Sequence, residues 1–362
     1  MAFDNKPVLV FWEVTRACPL HCVHCRAEAI ERPLPGELDT SEGMRLIDQI
    51  AAFGKPSPLI IFTGGDPIMR QDLPLLLAYA STKGIKFAVS PAASKYLTYS
   101  VLDGLKNTGA SSISLSLDSA SPKIHDSVRD MDGTYERTMD SLKYSIEIGL
   151  NVQVNTTVMQ RNVSELPHIF DLIKRIGVKT WEVFFLIPMG RGSNVEEISP
   201  DVYEDVCNFL YDASQYGIVI RTVEAPFIRR VVRQRSDNDG YWNDSKYAKM
   251  KSELSALCGK PTSPSSIAPK GTLDGDGILF ISYDGAIYPG GFMPVGIGNI
   301  KQDSLTDVYA TNGILRSIRA REFNGSCGQC KFKDICGGSR ARSYAHYGDP
   351  LGSDPACIYS KV

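Results

Sequence analysis

Six short runs rich in β-branched residues, each followed by a stretch of helical periodicity, constrain this chain most, because such alternation leads to parallel strands joined by crossover helices. The strands are expected at Val8 to Val14, Leu59 to Thr63, Lys86 to Ser90, Ser112 to Leu117, Val152 to Val158 and Trp181 to Leu186. Amphipathic segments run between them. Ser41 to Phe53 opens after Asp39 and Thr40 as N-cap candidates, and Tyr135 to Ile148 precedes Gly149 as a C-cap. Six βα units predict an α/β fold with a curved parallel sheet, and in such sheets the reactive groups collect on loops after the C-terminal ends of the strands. Those loops are rich in Cys, Gly, Ser and Asp.

A length of 362 residues suits one large α/β unit with an appendage. Composition shifts to Ser, Pro, Gly, Asp and Lys after Ser236, with Pro261-Thr-Ser-Pro264 as the clearest linker signal. We therefore expect a first domain over 1–235, a linker over 236–277 and a smaller unit over 278–362. The last should open with a hairpin, Ile278 to Ser282 and Ala286 to Tyr288, turning at Asp284-Gly285. Its apolar stretches, such as Val8 to Trp12 and Phe184 to Pro188, fall far short of the roughly 20 residues of a membrane span. No membrane partner is expected. Asp4 and Lys6 stand where a signal peptide would be apolar, so the expected location is cytoplasmic. With 39 basic and 41 acidic residues, the net charge of −2 supplies no general attraction for nucleic acid.

Nine cysteines are an odd number for a disulfide framework, and thiols in a reducing compartment point to metal or catalysis instead. Cys18, Cys22 and Cys25 cluster near the start, and Cys327, Cys330, Cys336 and Cys357 near the end. Cys207 and Cys258 stand apart and read as ordinary buried thiols, with a ligand role open for Cys258. Three thiolates on the loop after the first strand can bind three irons of a [4Fe–4S] cube and leave the fourth free for a small molecule. The competing reading is a structural zinc site pairing Cys22 and Cys25 with Cys327 and Cys330. It leaves Cys18, Cys336 and Cys357 without a role.

Cys18-x3-Cys22-x2-Cys25, followed on the next strand by Thr63-Gly-Gly-Asp-Pro67, resembles the radical S-adenosylmethionine (SAM) superfamily over nearly the whole chain. The resemblance implies a partial (β/α)6 barrel whose SAM-bound [4Fe–4S] cluster yields a 5′-deoxyadenosyl radical. Gly64, Gly65 and Asp66 match the segment that receives the methionine amino group, with Asp where Glu is commoner. Ser116-Leu-Asp-Ser119 and His125-Asp-x2-Arg129 resemble the region where a Ser contacts the ribose and an Arg meets the SAM carboxylate. Ser90, Ser94 and Asn155 are further candidates to line the nucleoside.

Cys327-x2-Cys330-x5-Cys336 with Cys357 resembles the SPASM or twitch extension that holds auxiliary clusters. Gly290 and Arg340 occupy positions where the full pattern has cysteines, which implies one auxiliary [4Fe–4S] cluster rather than two. Tyr288-Pro-Gly-Gly-Phe-Met-Pro294, Gly298-Asn299, the run from Cys336 to Ala345 and Gly348-Asp-Pro-Leu351 resemble one branch of that family. It contains heme synthases that decarboxylate iron-coproporphyrin III, together with homologues of unassigned or other activity. Val223-Glu-Ala-Pro-Phe227 is similar to a stretch of the unassigned homologues. The branch implies a tetrapyrrole substrate, an electron donor such as ferredoxin or flavodoxin, and Arg191, Arg221, Arg229, Arg230, Arg340 and Arg342 as candidate partners for propionates. Two alternatives stay open: a maturase acting on a peptide or a metal–pterin (tungsten enzyme) cofactor, and a non-catalytic iron–sulfur or zinc scaffold.

Overall fold

The computed structural model describes residues 3–237, 245–268 and 270–361. The elements run β1 (Leu9–Glu13), α1 (Thr40–Ala51), β2 (Leu59–Thr63), α2 (Leu73–Thr82), β3 (Phe87–Val89), α3 (Tyr99–Thr108), β4 (Ser112–Ser116), α4 (Pro122–Arg129) and α5 (Thr134–Glu147). They continue with β5 (Val152–Val158), α6 (Leu166–Arg175), β6 (Thr180–Phe185), α7 (Pro200–Ala213), β7 (Val219–Val223), α8 (Ile228–Ser236) and α9 (Ser245–Cys258). The C-terminal part adds β8 (Leu273–Asp274), β9 (Gly277–Ile281), β10 (Ala286–Tyr288), β11 (Gly298–Asn299), α10 (Leu305–Thr311), α11 (Gly313–Arg319), α12 (Gly325–Gln329) and α13 (Arg340–Tyr347).

Strands β1 to β7 pair in chain order and in parallel, as crossover helices require, and the sheet does not close on itself. All six expected strands are present, and a seventh, β7, extends the row. Val219-Ile-Arg-Thr-Val carries an arginine at its centre, which breaks the apolar run that marks the other strands. The expected N-terminus of α1 holds in detail: Asp39 accepts from the Glu42 amide while the Glu42 side chain accepts from the Asp39 amide.

The hairpin β9–β10 forms as expected, with Ile287 opposite Ile281. Its first strand also pairs in parallel with β1, Val10 beside Leu279, so the C-terminal segment continues the main sheet. The stretch 236–277, expected as a linker, contains helix α9. Its Pro and Ser flanks masked a helical spacing in which Tyr247, Met250 and Leu254 are buried and join the same apolar core as α6 and α7. Cys258, at the end of α9, packs against that core, as Cys207 does within it.

Successive side chains of a strand face opposite ways, and here one face is buried throughout. Trp12 of β1, Phe62 of β2, Leu115 of β4, Val154 of β5 and Trp181 and Val183 of β6 are all 0% exposed. Helices α1 and α6 meet that face with Leu46, Ile47 and Ile50, and with Ile169, Phe170 and Ile173. Among the described residues no helix is long and apolar enough to cross a membrane.

Trp181 stacks at an angle on Phe170 and donates from Nε1 to the Thr156 hydroxyl at 2.9 Å, so it joins β5, β6 and α6. Trp181→Ala should destabilise the fold by about 3–5 kcal/mol, the usual cost of removing a buried large aromatic side chain. Urea denaturation monitored by circular dichroism measures it.

Candidate functional site

The second face of the sheet is only partly covered, and the period-two alternation determines what it presents. Ser116, Asn155, Glu182 and Arg221 stand opposite one another across β4, β5, β6 and β7. This row makes one wall of the barrel interior polar. The other wall is aromatic: Phe11 pairs in register with Phe280, and Phe184 of β6 lies 6.4 Å from Phe292 between ring centroids. Glu182 sits at the middle of the polar wall. Burial raises its carboxyl above the usual range, against the charge of Arg221 and a hydrogen bond from Gln153.

The cysteine loop leaves the C-terminal end of β1 and is stitched to its neighbours by the main chain. Cys18 N donates to Ile30 O at 2.7 Å, while Gly65 N and Asp66 N donate to Thr15 O and Ala17 O at 2.8 and 2.7 Å. A Cβ at Gly65 would overlap the Ala17 carbonyl oxygen, so glycine is required for this approach. Cys18, Cys22 and Cys25 belong to one buried group on the loop. Burial pushes the Cys18 thiol up to about 12, and raises Cys22 against the attraction of Arg129. Around the loop, Arg16 Nε, Arg129 Nε, Arg191 Nη2 and His24 Nδ1 are buried without a hydrogen-bond partner among the described residues. Three unoxidised thiols ringed by unused guanidinium donors suit an anionic group bonded to all three sulfurs, which is the character of a thiolate-held iron–sulfur cluster.

The remaining expected residues divide. Ser90 and Ser114 share a 2.5 Å hydrogen bond between hydroxyls, and Ser116 and Asn155 face the interior. Asp66, expected beside the methionine amino group, has a fully buried carboxylate with partners inside the protein. It accepts from Ile68 N, Ala92 N and the Ser94 hydroxyl at 3.2, 3.3 and 3.1 Å, tying the β2 exit to the β3 exit. Burial raises this carboxyl to about 6. Arg129 is likewise engaged, with Nη2 2.5 Å from Asp118 Oδ2 and Nη1 donating to Cys22 Sγ at 3.7 Å. In this arrangement it braces the cysteine loop.

Most arginines proposed for propionates are also committed within the protein. Arg191 donates to Cys22 O and Ala29 O at 3.0 Å each and holds the cysteine loop from the β6 side. Arg229 donates to Ile335 O and Thr272 O, and Arg230 makes a two-pronged ion pair with Glu204. Arg340 donates to Gly352 O and to Cys327 Sγ, and Arg342 to Glu224 O and Leu186 O beside Glu197 and Asp354. Both are 1% exposed. Arg221 alone of the six is exposed and makes no hydrogen bond or ion pair among the described residues.

Asp354 lies within electrostatic reach of Cys327, Cys336 and Cys357, Cys336 is also within reach of the other two, and burial pushes Cys336 to about 12 and Cys357 to about 11. Among the described residues no three His, Cys, Asp or Glu side chains converge enough to hold a single metal ion. A zinc site joining the two sets does not fit. A Cβ at Gly290 would overlap the Asp274 carboxylate, which lies against Glu224. Burial raises both carboxyls; Glu224 raises that of Asp274 further, whereas the hydrogen bond with Asp274 acts to lower that of Glu224. Sequence reasoning missed Gln153, Glu182 and Asp274. The signal for the first two was present: polar residues at every second position of β5, and one charge inside the apolar run of β6.

Arg191→Ala should loosen the cysteine loop, because two backbone carbonyls lose a charged donor worth about 1.5–3 kcal/mol each. We expect faster amide hydrogen exchange between Cys22 and Ile30 with the exchange of β5 and β6 unchanged, read by mass spectrometry of peptic fragments.

The Radical SAM superfamily model matches residues 12–173. The chain is 34% identical to an AdoMet-dependent heme synthase of Methanosarcina barkeri strain Fusaro, over 99% of this chain and 98% of that protein. It is 31% identical to an Fe-coproporphyrin III synthase of the same organism, over 99% of this chain and 89% of that protein. Among solved structures, native anSMEcpe with bound AdoMet superposes with a TM-score of 0.70 at 15% identity, covering 98% of this chain and 94% of that one. With a cysteine loop on the exit of β1, a parallel sheet around an open interior and a full-length relative of this identity, the chain belongs to the radical SAM superfamily and is an enzyme of that type.

Proposed function

We propose that this enzyme converts propionate side chains of iron-coproporphyrin III to vinyl groups in heme synthesis, each with net loss of one hydrogen atom, one CO2 and one electron. The observation that carries this reading is the end-to-end 34% identity with an AdoMet-dependent heme synthase. The interior supports it. Phe184, Phe280 and Phe292 offer apolar contact for a macrocycle, and the exposed Arg221, opposite Glu182, offers guanidinium donors to a carboxylate.

In this reading Cys18, Cys22 and Cys25 hold a [4Fe–4S] cluster, and Cys327, Cys330, Cys336 and Cys357 hold one auxiliary cluster. Cluster and SAM together supply the electron and the 5′-deoxyadenosyl radical. The chain does the rest. Arg191 and Arg129 brace the cysteine loop, and Arg129 also donates to one of its sulfurs. The backbone at Gly64 and Gly65, held against Thr15 and Ala17, bounds the methionine end of SAM, with Asp66 fixing the turn from within. Ser90, Ser116 and Asn155 line its nucleoside. The Asp274 carboxylate at Gly290 and the Arg340 guanidinium against Cys327 fill the places of the absent cysteines, which favours a single auxiliary cluster. A ferredoxin or flavodoxin is the expected electron donor.

Anaerobic reconstitution followed by SAM and reductant, with and without iron-coproporphyrin III, tests the reading through 5′-deoxyadenosine and porphyrin mass. We expect both deoxyadenosine and vinyl-bearing product. Deoxyadenosine with unchanged porphyrin moves the substrate to the peptide or cofactor of a maturase. Alanine at Cys18, Cys22 or Cys25 should abolish SAM cleavage. Cys357→Ala should lower iron content by about four atoms while sparing that cleavage.

A further inference from the structure

Arg26 follows the last cysteine of the N-terminal loop, and the exit of β6 fixes its backbone. Arg191 N donates to Cys25 O at 3.0 Å, and a Cβ at Gly190 would overlap the Arg26 carbonyl oxygen. The side chain turns to β9, away from the β2 exit. Its guanidinium carbon lies 4.4 Å from the ring centroid of Phe280 and 6.0 Å from that of Phe292, so it continues the aromatic wall that Phe184 joins. A Cβ at Gly291 would stand 3.1 Å from the Phe280 ring and 3.4 Å from Arg26 Nε, so the glycine leaves that side uncovered. Arg26 Nη2 stands 3.3 Å from Oε1 of Glu13, whose other oxygen is 3.5 Å from the Ser282 hydroxyl. This pairing is one of charge alone, because Glu13 Oε1 is buried without a hydrogen-bond partner among the described residues.

The other arginines at the loop spend their donors inside the protein: Arg191 on Cys22 O and Ala29 O, Arg129 on Asp118 and Cys22. Arg26 donates no hydrogen bond among the described residues, and its side chain is 19% exposed. Contact with ring faces uses the charge and the flat surface of a guanidinium and leaves its N–H fork unspent. Such a fork beside two aromatic rings complements a flat conjugated molecule with a carboxylate at its edge, the face meeting the rings and the carboxylate the fork. We propose that Arg26 binds a carboxylate of the substrate, and that Glu13 and Phe280 hold it in place for that purpose. This rests on the reading that the interior takes up a tetrapyrrole with propionate groups.

The test titrates the reconstituted full chain anaerobically, without SAM, with iron-coproporphyrin III and with its uncharged tetramethyl ester, followed at the Soret band. A hydrogen bond to a charged group corresponds to about tenfold or more in affinity. Arg26→Ala and Arg26→Gln should therefore weaken the acid by at least about tenfold and the ester by less than about threefold. Arg26→Lys keeps the charge without the planar fork, and should recover only part of the loss. The ester controls for folding and packing in each variant, and the glutamine variant decides the matter if the alanine variant does not fold. Equal weakening of acid and ester, or unaltered affinity for the acid, overturns the proposal. So does a loss of S-adenosylhomocysteine binding with porphyrin binding unchanged, which would assign Arg26 to the cofactor. Failure of the underlying reading looks different: wild type binds neither porphyrin, and the proposal falls with it.

Discussion

The structure depends on a parallel sheet buried completely on one face and only partly on the other. Trp12, Phe62, Leu115, Val154 and Trp181 alternate with the residues of the interior, and each fully buried apolar side chain contributes about 1.5–3 kcal/mol. That one-sided burial holds the register of every strand, since a slip of one residue would turn the apolar set inward. The inward set is thereby free of any packing duty. It carries Ser116, Asn155, Glu182 and Arg221 at matched heights because neighbouring strands are locked from behind.

At the end of β1 the same logic positions charged groups around thiols. Burial raises the thiols of Cys18 and Cys22, which disfavours thiolates in the protein alone. At Cys22 the Arg129 guanidinium works against that preference. Arg129 and Arg191 reach the loop from α4 and from the exit of β6, so the loop is held by elements distant in sequence. At the C-terminal set, Arg340 touches Cys327 and is itself stacked on Phe323, a similar device built from other elements.

The arginines illustrate why carboxylate partners are hard to assign from sequence. Six were plausible, and five are spent on backbone carbonyls, sulfurs or buried carboxylates of the protein. A guanidinium with five donors is the side chain best able to satisfy several carbonyls where loops meet, so an arginine in a strand-end loop is as often structural glue as a ligand contact. Glu224 shows the same ambiguity. Its left-handed φ of +61° and its bond from Ser339 tie the exit of β7 to the start of α13. A motif that stands out in sequence can owe its character to such a junction.

The sequence alone determined the repeating βα order, the Asp39–Glu42 cap, the β9–β10 hairpin and the two cysteine sets, because these depend on local period, turn chemistry and spacing. It also carried the resemblance to the radical SAM superfamily, since Cys18, Cys22, Cys25, Gly64 and Gly65 lie on two adjacent strand exits. Only the tertiary structure decided that β9 pairs with β1, that α9 fills a segment rich in breakers on either side, and that Gln153, Asn155 and Glu182 share one nitrogen. Those outcomes turn on pairing and register between residues tens to hundreds of positions apart. No local pattern encodes them, because the free energy that selects them comes from burial and hydrogen bonding which exist only once the sheet has assembled.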